Sequence, residues 1–168
     1  MIQKKVCMVG VFGTGKTCLV QQYVHSLFTT KYHSTVGVKI DRKSVTVDGT
    51  DVTVMLWDLA GRDDSADISV SYLRGGHGII YVVDGTRRET FDQIFELRTI
   101  VHDAIGDVPS VLALNKVDLT GAWALTPADD AAVAKEPWHV VRTSAKSGEG
   151  VNSTFAWLAK ATLAGSSR

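Results

Sequence analysis

Apolar runs alternate with amphipathic stretches along the whole chain. The apolar runs predict six strands, at residues 4–10, 38–47, 52–57, 79–84, 110–115 and 138–143. Apolar positions at helical spacing predict five helices, among them segments at 19–24, 90–105, 127–134 and 151–163. Such alternation is typical of an α/β fold in which helices cover both faces of a mostly parallel sheet.

The second and third predicted strands flank the pair Asp48-Gly49. These residue types adopt a positive φ at low cost, as a tight two-residue turn requires. The pair therefore predicts a β-hairpin. We expect a six-stranded sheet in which one strand is antiparallel and lies at an edge.

The composition is that of an ordinary globular protein. The 168 residues are 45% hydrophobic and 21% charged, which favours a single domain over residues 1–168. Eighteen basic residues balance eighteen acidic ones, so the chain lacks the positive charge of a typical nucleic-acid-binding protein. We therefore expect no nucleic-acid partner.

No segment has the pattern of a membrane span or a targeting signal. The longest apolar runs, residues 6–12 and 78–83, are far shorter than the roughly 20 residues that cross a bilayer. Cys7 and Cys18 lie in apolar or helical patterns and are expected to be reduced thiols in the core. The last five residues contain no cysteine, so no prenyl anchor is expected on this chain. These features predict a cytoplasmic protein without a membrane anchor.

The segment Gly10-Val11-Phe12-Gly13-Thr14-Gly15-Lys16-Thr17 follows the first strand and opens the first helix. It fits the phosphate-binding loop pattern, in which glycines let backbone N–H groups turn toward phosphate oxygens and the helix N-terminus adds a favourable dipole. Lys16 is then placed to contact the β and γ phosphates, and the Thr17 hydroxyl to ligate magnesium. The segment predicts a nucleotide-binding protein.

Two further motifs stand at predicted strand ends. In Asp58-Leu59-Ala60-Gly61, the carboxylate is placed to hold magnesium through water, and Gly61 lets a backbone N–H approach the γ phosphate. In Asn115-Lys116-Val117-Asp118, the carboxylate of Asp118 can accept from N1–H and the 2-amino group of guanine, donors that adenine lacks. A buried carboxylate left unpaired costs several kcal/mol, so Asp118 predicts selection of guanine.

Together these motifs resemble those of the Ras-superfamily small GTPases, and the Rab branch in particular, over nearly the whole chain. Ser34-Thr35-Val36-Gly37-Val38 resembles the Rab first switch, Trp57-Asp58-Leu59-Ala60-Gly61 the entry to the second, and Thr143-Ser144-Ala145-Lys146 the fifth guanine motif. The resemblance implies a P-loop NTPase G domain that binds GTP or GDP with Mg²⁺. It also implies two switch loops, at residues 32–38 and 61–72, which the γ phosphate and magnesium hold and which hydrolysis releases.

The resemblance assigns roles to individual residues. Phe28 would stack on the guanine, Thr35 would ligate magnesium in the GTP state, and Lys116, Ala145 and Lys146 would complete the base pocket. The expected metal ligands are Thr17, Thr35 and Asp58, and the residues expected to act in hydrolysis are Lys16, Thr35, Gly61 and Arg62. The expected nucleotide-binding residues are Gly13, Thr14, Gly15, Lys16, Thr17, Cys18, Phe28, Thr35, Gly61, Asn115, Lys116, Asp118, Ser144, Ala145 and Lys146.

Arg62 departs from the family pattern, which has Gln directly after the Asp-x-x-Gly motif to orient the attacking water. Arginine has five donors and no acceptor, so it cannot take a proton from water. We therefore expect slow intrinsic hydrolysis. Two alternatives remain open: Arg62 stabilises transition-state charge in cis while Asp63 or Asp64 orients the water, or Arg62 faces solvent.

Phe12 is a second departure, because this loop position is normally small in the family and borders the γ phosphate. Its ring is placed to block an arginine finger supplied by an activating protein. Packing of the ring onto the switch loops is an equally open alternative.

Protein effectors are expected at the switch loops. Rab effectors usually contact three aromatic residues, and the matching positions in this chain are Ile40, Trp57 and Tyr72. Ile40 is not aromatic, so the resemblance does not imply any particular eukaryotic effector. The resemblance also implies an exchange factor and an activating protein acting on a monomer.

The leading hypothesis is a guanine-nucleotide-dependent molecular switch with weak GTPase activity. The alternative is a non-hydrolysing module in which bound GTP or GDP is structural. A P-loop kinase that uses ATP is disfavoured, because the Asn115-Lys116-Val117-Asp118 motif has no role in such an enzyme.

Overall fold

The computed structural model describes residues 2–29, 34–63 and 66–165, and a six-stranded sheet forms its centre. The spatial order of the strands is β2-β3-β1-β4-β5-β6. Tyr32, at the start of the expected first switch loop, and Asp64 lie outside the described residues. The strands are β1 (Ile2–Gly10), β2 (Val38–Val47), β3 (Thr50–Leu59), β4 (Gly78–Asp84), β5 (Ser110–Asn115) and β6 (His139–Arg142).

β2 and β3 pair antiparallel, and every other neighbouring pair in the sheet is parallel. The turn that joins β2 to β3 has φ values of 49° at Asp48 and 81° at Gly49. Positive φ at both central residues is what a type I′ hairpin turn requires. The predicted hairpin and antiparallel edge strand are confirmed.

Helices cover both faces of the sheet, as the sequence pattern predicts. They are α1 (Lys16–His25), α2 (Arg88–Asp92), α3 (Ile94–Ile105), α4 (Pro127–Ala134) and α5 (Val151–Gly165), with 3₁₀ turns at Val70–Leu73 and Thr120–Ala122. Successive side chains of a strand point to opposite faces. In β4, Ile80 and Val82 therefore pack in the cluster that includes residues of α1 and α5, whereas Ile79 and Tyr81 pack in the cluster of α2, α3 and α4.

Some boundaries differ from the predictions. The helix predicted over 90–105 is interrupted at Gln93, although that residue keeps a near-helical backbone with φ −81° and ψ −14°. β3 is longer at both ends than its apolar run, because the hairpin pairing continues into polar residues such as Asp51, which lies opposite Thr46. α4 begins as predicted, since Thr126 and Asp129 form a reciprocal capping box.

The sheet topology determines where the functional motifs meet. β1, β3, β4, β5 and β6 all run in the same direction, so their carboxyl ends share one edge of the sheet. Ligands of open α/β sheets bind outside this edge. Within the described part of the chain, no helix is both long and apolar enough to cross a membrane.

Candidate functional site

A cavity of about 420 Å³ opens at the carboxyl edge of the sheet. The loop between β1 and α1 forms one wall, and the segments after β5 and β6 form another. Most of the nucleotide-binding residues that the sequence predicts line this cavity: Gly13, Gly15, Lys16, Thr17, Cys18, Phe28, Thr35, Gly61, Asn115, Lys116, Asp118, Ala145 and Lys146. The structure therefore brings together motifs that are separated by more than a hundred positions in the sequence.

The loop before α1 holds a buried lysine. Lys16 is only 6% exposed, and its Nζ donates to the carbonyl oxygens of Val11 at 3.1 Å and Gly10 at 3.4 Å. Burial lowers the pKa of Lys16 to about 8; nearby Asp58 opposes this shift and Arg87 adds to it. A desolvated ammonium surrounded by loop carbonyls provides positive charge at the point where the motif predicts phosphate groups.

Three oxygen-bearing side chains converge beside this lysine. The Thr17 hydroxyl donates to Asp58 Oδ2 at 2.5 Å and lies 2.9 Å from the Thr35 hydroxyl. Asp58 is 1% exposed, and none of the described residues donates to its Oδ1. Burial raises the pKa of Asp58, while the hydrogen bond from Thr17 and the charge of Lys16 oppose that rise. Two hydroxyls and a carboxylate with an unpartnered oxygen are the hard oxygen donors that suit Mg²⁺.

Asn115 connects the two walls of the cavity. Its side-chain amide is buried, with Nδ2 donating to the Thr14 carbonyl at 3.0 Å and Oδ1 accepting from the Thr143 hydroxyl at 3.1 Å. Gly15, with φ 101°, passes so close that a Cβ there would lie 2.3 Å from Nδ2. The glycine is required both by its left-handed backbone and by this close approach.

Asp118 projects from the segment after β5. The Ser144 hydroxyl donates to Asp118 Oδ1 at 2.8 Å. The same hydroxyl accepts a hydrogen bond from the backbone N–H of Ser147 at 3.0 Å. None of the described residues donates to Asp118 Oδ2. Ser144 is fully buried and lies behind the cavity wall, so it orients the carboxylate from behind.

Lys116 links the same segment to the phosphate loop. Its Nζ lies 2.8 Å from Asp84 Oδ2 and donates to the Gly13 carbonyl at 3.2 Å. Lys116 has a positive φ of 69°. The Thr86 hydroxyl and backbone N–H both donate to the other oxygen of Asp84. Sequence reasoning missed Asp84, although an acidic residue at a strand end is the same signal that singled out Asp58.

Gly61 and Arg62 pack directly on the phosphate loop. A Cβ at Gly61 would lie 2.6 Å from the Phe12 nitrogen and 2.7 Å from Lys16 Nζ. The backbone carbonyl of Arg62 accepts a hydrogen bond from the Phe12 N–H at 2.9 Å. The backbone N–H of Arg62 donates to the Gly10 carbonyl at 3.2 Å. The backbone at Arg62 therefore extends the pairing beside β1.

The Arg62 side chain does not face solvent, so that alternative is wrong. It is 13% exposed and donates to both oxygens of Asp67 at 2.8 Å. It also donates to Glu96 of α3 at 2.8 and 3.3 Å. The hydrogen bonds from Arg62 lower the pKa of Asp67. Nothing in the sequence pattern pointed to Glu96, which lies 34 positions away from its partner.

Phe12 stands at the entrance to the cavity and is 37% exposed. It also borders a second cavity of about 570 Å³, next to Arg62 and Arg87. Arg87 donates to the Phe12 carbonyl at 3.1 Å and pairs with Glu89. Phe12 therefore borders both the nucleotide cavity and the cavity beside Arg62.

The three positions expected to contact effectors lie side by side. Ile40 is paired opposite Trp57 across β2 and β3, and it is 45% exposed. The Trp57 and Tyr72 rings have centroids 6.4 Å apart, and Lys5 Nζ lies 3.6 Å from the centroid of Trp57. The structure thus forms a mixed aliphatic and aromatic patch on β2, β3 and the 3₁₀ turn at Val70–Leu73.

A phosphate-binding loop between β1 and α1, on this strand order, defines a P-loop G domain. The Ras family model matches residues 5–164. Over 160 residues the chain is 34% identical to the Ras-related protein Rab-1 of Theileria parva and to that of Theileria annulata, with 94% of this chain and 73% of each relative covered. It is 32% identical to the Ras-related protein Rab-13 of Canis lupus familiaris, with 93% of this chain and 78% of that relative covered. The chain belongs to the Ras family and is a Rab-like small GTPase.

Proposed function

We propose that this protein is a molecular switch that binds GTP or GDP with Mg²⁺ and hydrolyses GTP slowly. The observation that carries the proposal is that a single cavity is lined by the phosphate loop, by two of the three expected magnesium ligands and by the guanine motifs. Membership of the Ras family supports the same class of activity. The chain is proposed to work as one domain and as a monomer.

Magnesium is proposed to bind at the oxygens of Thr17, Thr35 and Asp58. When bound, the cation neutralises phosphate charge and links the first switch segment to the nucleotide. The unpartnered Oδ1 of buried Asp58 supports this assignment, because a buried carboxylate oxygen without a donor is costly unless a cation or water satisfies it.

Guanine is proposed to be read by Asp118. Its Oδ1 is oriented by Ser144, so the carboxylate is held ready to accept hydrogen bonds from the two donors on the guanine edge. Phe28 lines the cavity and is 41% exposed, and its ring is proposed to stack on the base. Lys116, Ala145 and Lys146 are proposed to complete the pocket.

Slow hydrolysis is proposed because the Arg62 side chain has no hydrogen-bond acceptor, and its guanidinium is bound by two carboxylates. Lys16, Thr35 and Gly61 are proposed to supply charge and backbone contacts at the γ phosphate. The same ion pairs favour the alternative of a module that binds nucleotide without hydrolysing it.

Partner proteins are proposed to distinguish the two nucleotide states at the patch of Ile40, Trp57 and Tyr72. An exchange factor and an activating protein are proposed by family analogy. If the Phe12 ring blocks an activator's arginine, Phe12→Gly will restore stimulation by a broad-range activating protein. No effect of that substitution would contradict the blocking hypothesis.

A single-turnover measurement tests the proposed function. Protein is loaded with GTP and Mg²⁺, the bound base is identified by chromatography, and conversion to GDP is followed in the wild type, in Arg62→Gln and in a control, Arg42→Gln, whose side chain is exposed on β2. We expect slow conversion in the wild type and the control, and faster conversion in Arg62→Gln. An unchanged or lower rate in Arg62→Gln would contradict the assigned cause of slow hydrolysis, and failure to bind GTP would contradict the function.

A further inference from the structure

One buried carboxylate beside the nucleotide cavity has no part in the function proposed above. Asp84 ends β4 and is fully buried, yet it does not line the cavity. Its Oδ1 accepts from the Thr86 backbone N–H at 2.9 Å and from the Thr86 hydroxyl at 2.6 Å. Among the described residues, the cation that pairs with its Oδ2 is the Lys116 ammonium, 2.8 Å away. A buried charge is costly unless it is paired, so the Asp84 carboxylate depends on Lys116.

The backbone that carries Asp84 is firmly held. The Asp84 N–H donates to the buried Thr90 hydroxyl at 3.0 Å, and this hydroxyl also lies 3.1 Å from the Asp84 carbonyl oxygen. The N–H of the next residue, Gly85, donates to the Asn115 carbonyl at 2.9 Å. A Cβ at Gly85 would collide with the Trp123 ring, so the chain has no room to shift there. The Asp84 carboxylate is therefore presented from a fixed position.

Lys116, the partner of Asp84, contacts both walls of the nucleotide cavity. It lies in the guanine motif two residues before Asp118, and its Nζ donates across the cavity to the Gly13 carbonyl of the phosphate loop at 3.2 Å. Its own carbonyl accepts from the Leu119 N–H at 3.0 Å. The φ of Lys116 is 69°, a left-handed backbone that is unfavourable for a residue with a side chain and persists only where surrounding contacts hold it. The conformation of this segment thus relies on what anchors the Lys116 side chain.

We propose that Asp84 is a positioning residue that holds Lys116 across the cavity and thereby slows the release of guanine nucleotide. The inference rests on the proposed function, because it concerns how long the same cavity retains its ligand. With the ammonium anchored, the phosphate loop and the segment that carries Asp118 stay at a fixed separation. Without the anchor, Lys116 and its segment move more freely, and the ligand leaves sooner. The phosphate loop and the guanine motif serve GDP and GTP alike, so the release of both should be affected by the same factor.

The test measures the release of fluorescent GDP and of a fluorescent, non-hydrolysable GTP analogue, each chased with excess unlabelled GDP in the presence of Mg²⁺. We expect both to leave Asp84→Asn about tenfold faster than the wild type, because the variant loses one contact to a charged group. The new amide either turns a donor toward the Lys116 ammonium or, when flipped, turns it toward the donors of Thr86. Asp92→Asn is the matched control. Asp92 is an exposed carboxylate of α2 that lies 3.7 Å from Arg88, and its substitution should change neither rate.

Two variants of Thr86 test the same anchor without altering the buried charge. Thr86→Val removes the hydroxyl that donates to Asp84 and keeps the backbone N–H, so we expect release about threefold faster. Thr86→Ser keeps the hydroxyl and should release both nucleotides at the wild-type rate. These two variants decide the question if Asp84→Asn does not fold.

A double-variant cycle separates positioning from general destabilisation. In Lys116→Ala the partner of Asp84 is absent, so adding Asp84→Asn should accelerate release no further. An equal acceleration in both backgrounds would show that Asp84 acts through the fold at large, and it would refute the positioning role. Unchanged release from Asp84→Asn or Thr86→Val, or faster release of only one of the two nucleotides, would refute it as well. Failure of the wild type to retain either nucleotide would instead refute the proposed function and, with it, this inference.

Discussion

Asn115→Ala is expected to destabilise the protein even when no nucleotide is bound. The substitution removes two buried hydrogen bonds, to the Thr14 carbonyl and from the Thr143 hydroxyl. Each bond contributes about 1 kcal/mol, and each buried group left without a partner costs about 1–3 kcal/mol. Because these two costs overlap, the expected loss in free energy of unfolding is about 2–4 kcal/mol.

Urea and thermal unfolding of the nucleotide-free and GDP-saturated proteins measure this loss. For a domain of this length the loss corresponds to a Tm roughly 5–15 °C lower. Asn115→Asp should be at least as damaging, because it places a carboxylate oxygen against the Thr14 carbonyl 3.0 Å away. The matched control is Asn152→Ala, an exposed residue in the first turn of α5, which should change stability by less than about 0.5 kcal/mol.

The outcome that refutes this reasoning is specific. If nucleotide-free Asn115→Ala unfolds with the same free energy as the wild type, and only the GDP-bound form is weakened, then Asn115 acts through the ligand alone. The two walls of the cavity would then not be joined by its amide.

Three further predictions concern the base, the thiols and an ion pair. Asp118→Asn should weaken GDP binding at least about a hundredfold in a competition assay and favour xanthosine diphosphate, whose C2 carbonyl can accept from the new amide. In a colorimetric thiol assay at pH 8, Cys7 should not react in the folded protein, because it is fully buried and burial raises its pKa to about 11. Cys18 lines the nucleotide cavity and should react slowly, because burial raises its pKa as well, and GDP should slow its reaction further. In urea unfolding, Arg88→Gln should destabilise the protein near neutral pH, because Arg88 holds the pKa of Asp129 well below its usual range. The difference should narrow below about pH 4, because Asp129 of the folded variant, which has lost Arg88, takes up a proton at a higher pH than Asp129 of the folded wild type.

Each of these predictions has an outcome that would contradict it. Equal binding of GDP and xanthosine diphosphate to both proteins would exclude Asp118 as the base-reading group. Reaction of both thiols at the same rate in folded and urea-unfolded protein would show that Cys7 is not protected. Arg42→Gln serves as the control for Arg88→Gln, and a stability difference that stays constant down to pH 3 would mean that Asp129 is not the titrating partner.

Much of the fold was predictable from local pattern. Strand β2 was predicted with its observed ends, because apolar and polar residues alternate and the Asp48-Gly49 turn defines where it stops. The start of α4 was predictable because Thr126 and the following proline form a local helix-start signal. The motifs placed Lys16 and Asp118 in one site, since each follows a parallel strand and those strands end at one edge.

What could not be predicted depends on contacts between distant residues. Glu96 looks like any solvent-facing residue of an amphipathic helix until the fold brings Arg62 to it. The Asp84 pair with Lys116 likewise joins two strand ends whose neighbourhood appears only in three dimensions. Arg62 was expected to slow hydrolysis because it replaces Gln. The carboxylates that its side chain binds depend on where α3 lies, and no local pattern contains that information.

The Asp48-Gly49 turn gives this protein a convenient handle for labelling. β3 runs from this turn toward Asp58, and ten residues of strand span roughly 33 Å. A fluorophore or surface tether attached at the turn would therefore sit at the far end of the molecule from the nucleotide cavity. Partner binding and nucleotide exchange could then be followed on immobilised protein whose nucleotide cavity, at the carboxyl edge of the sheet, remains exposed to solution.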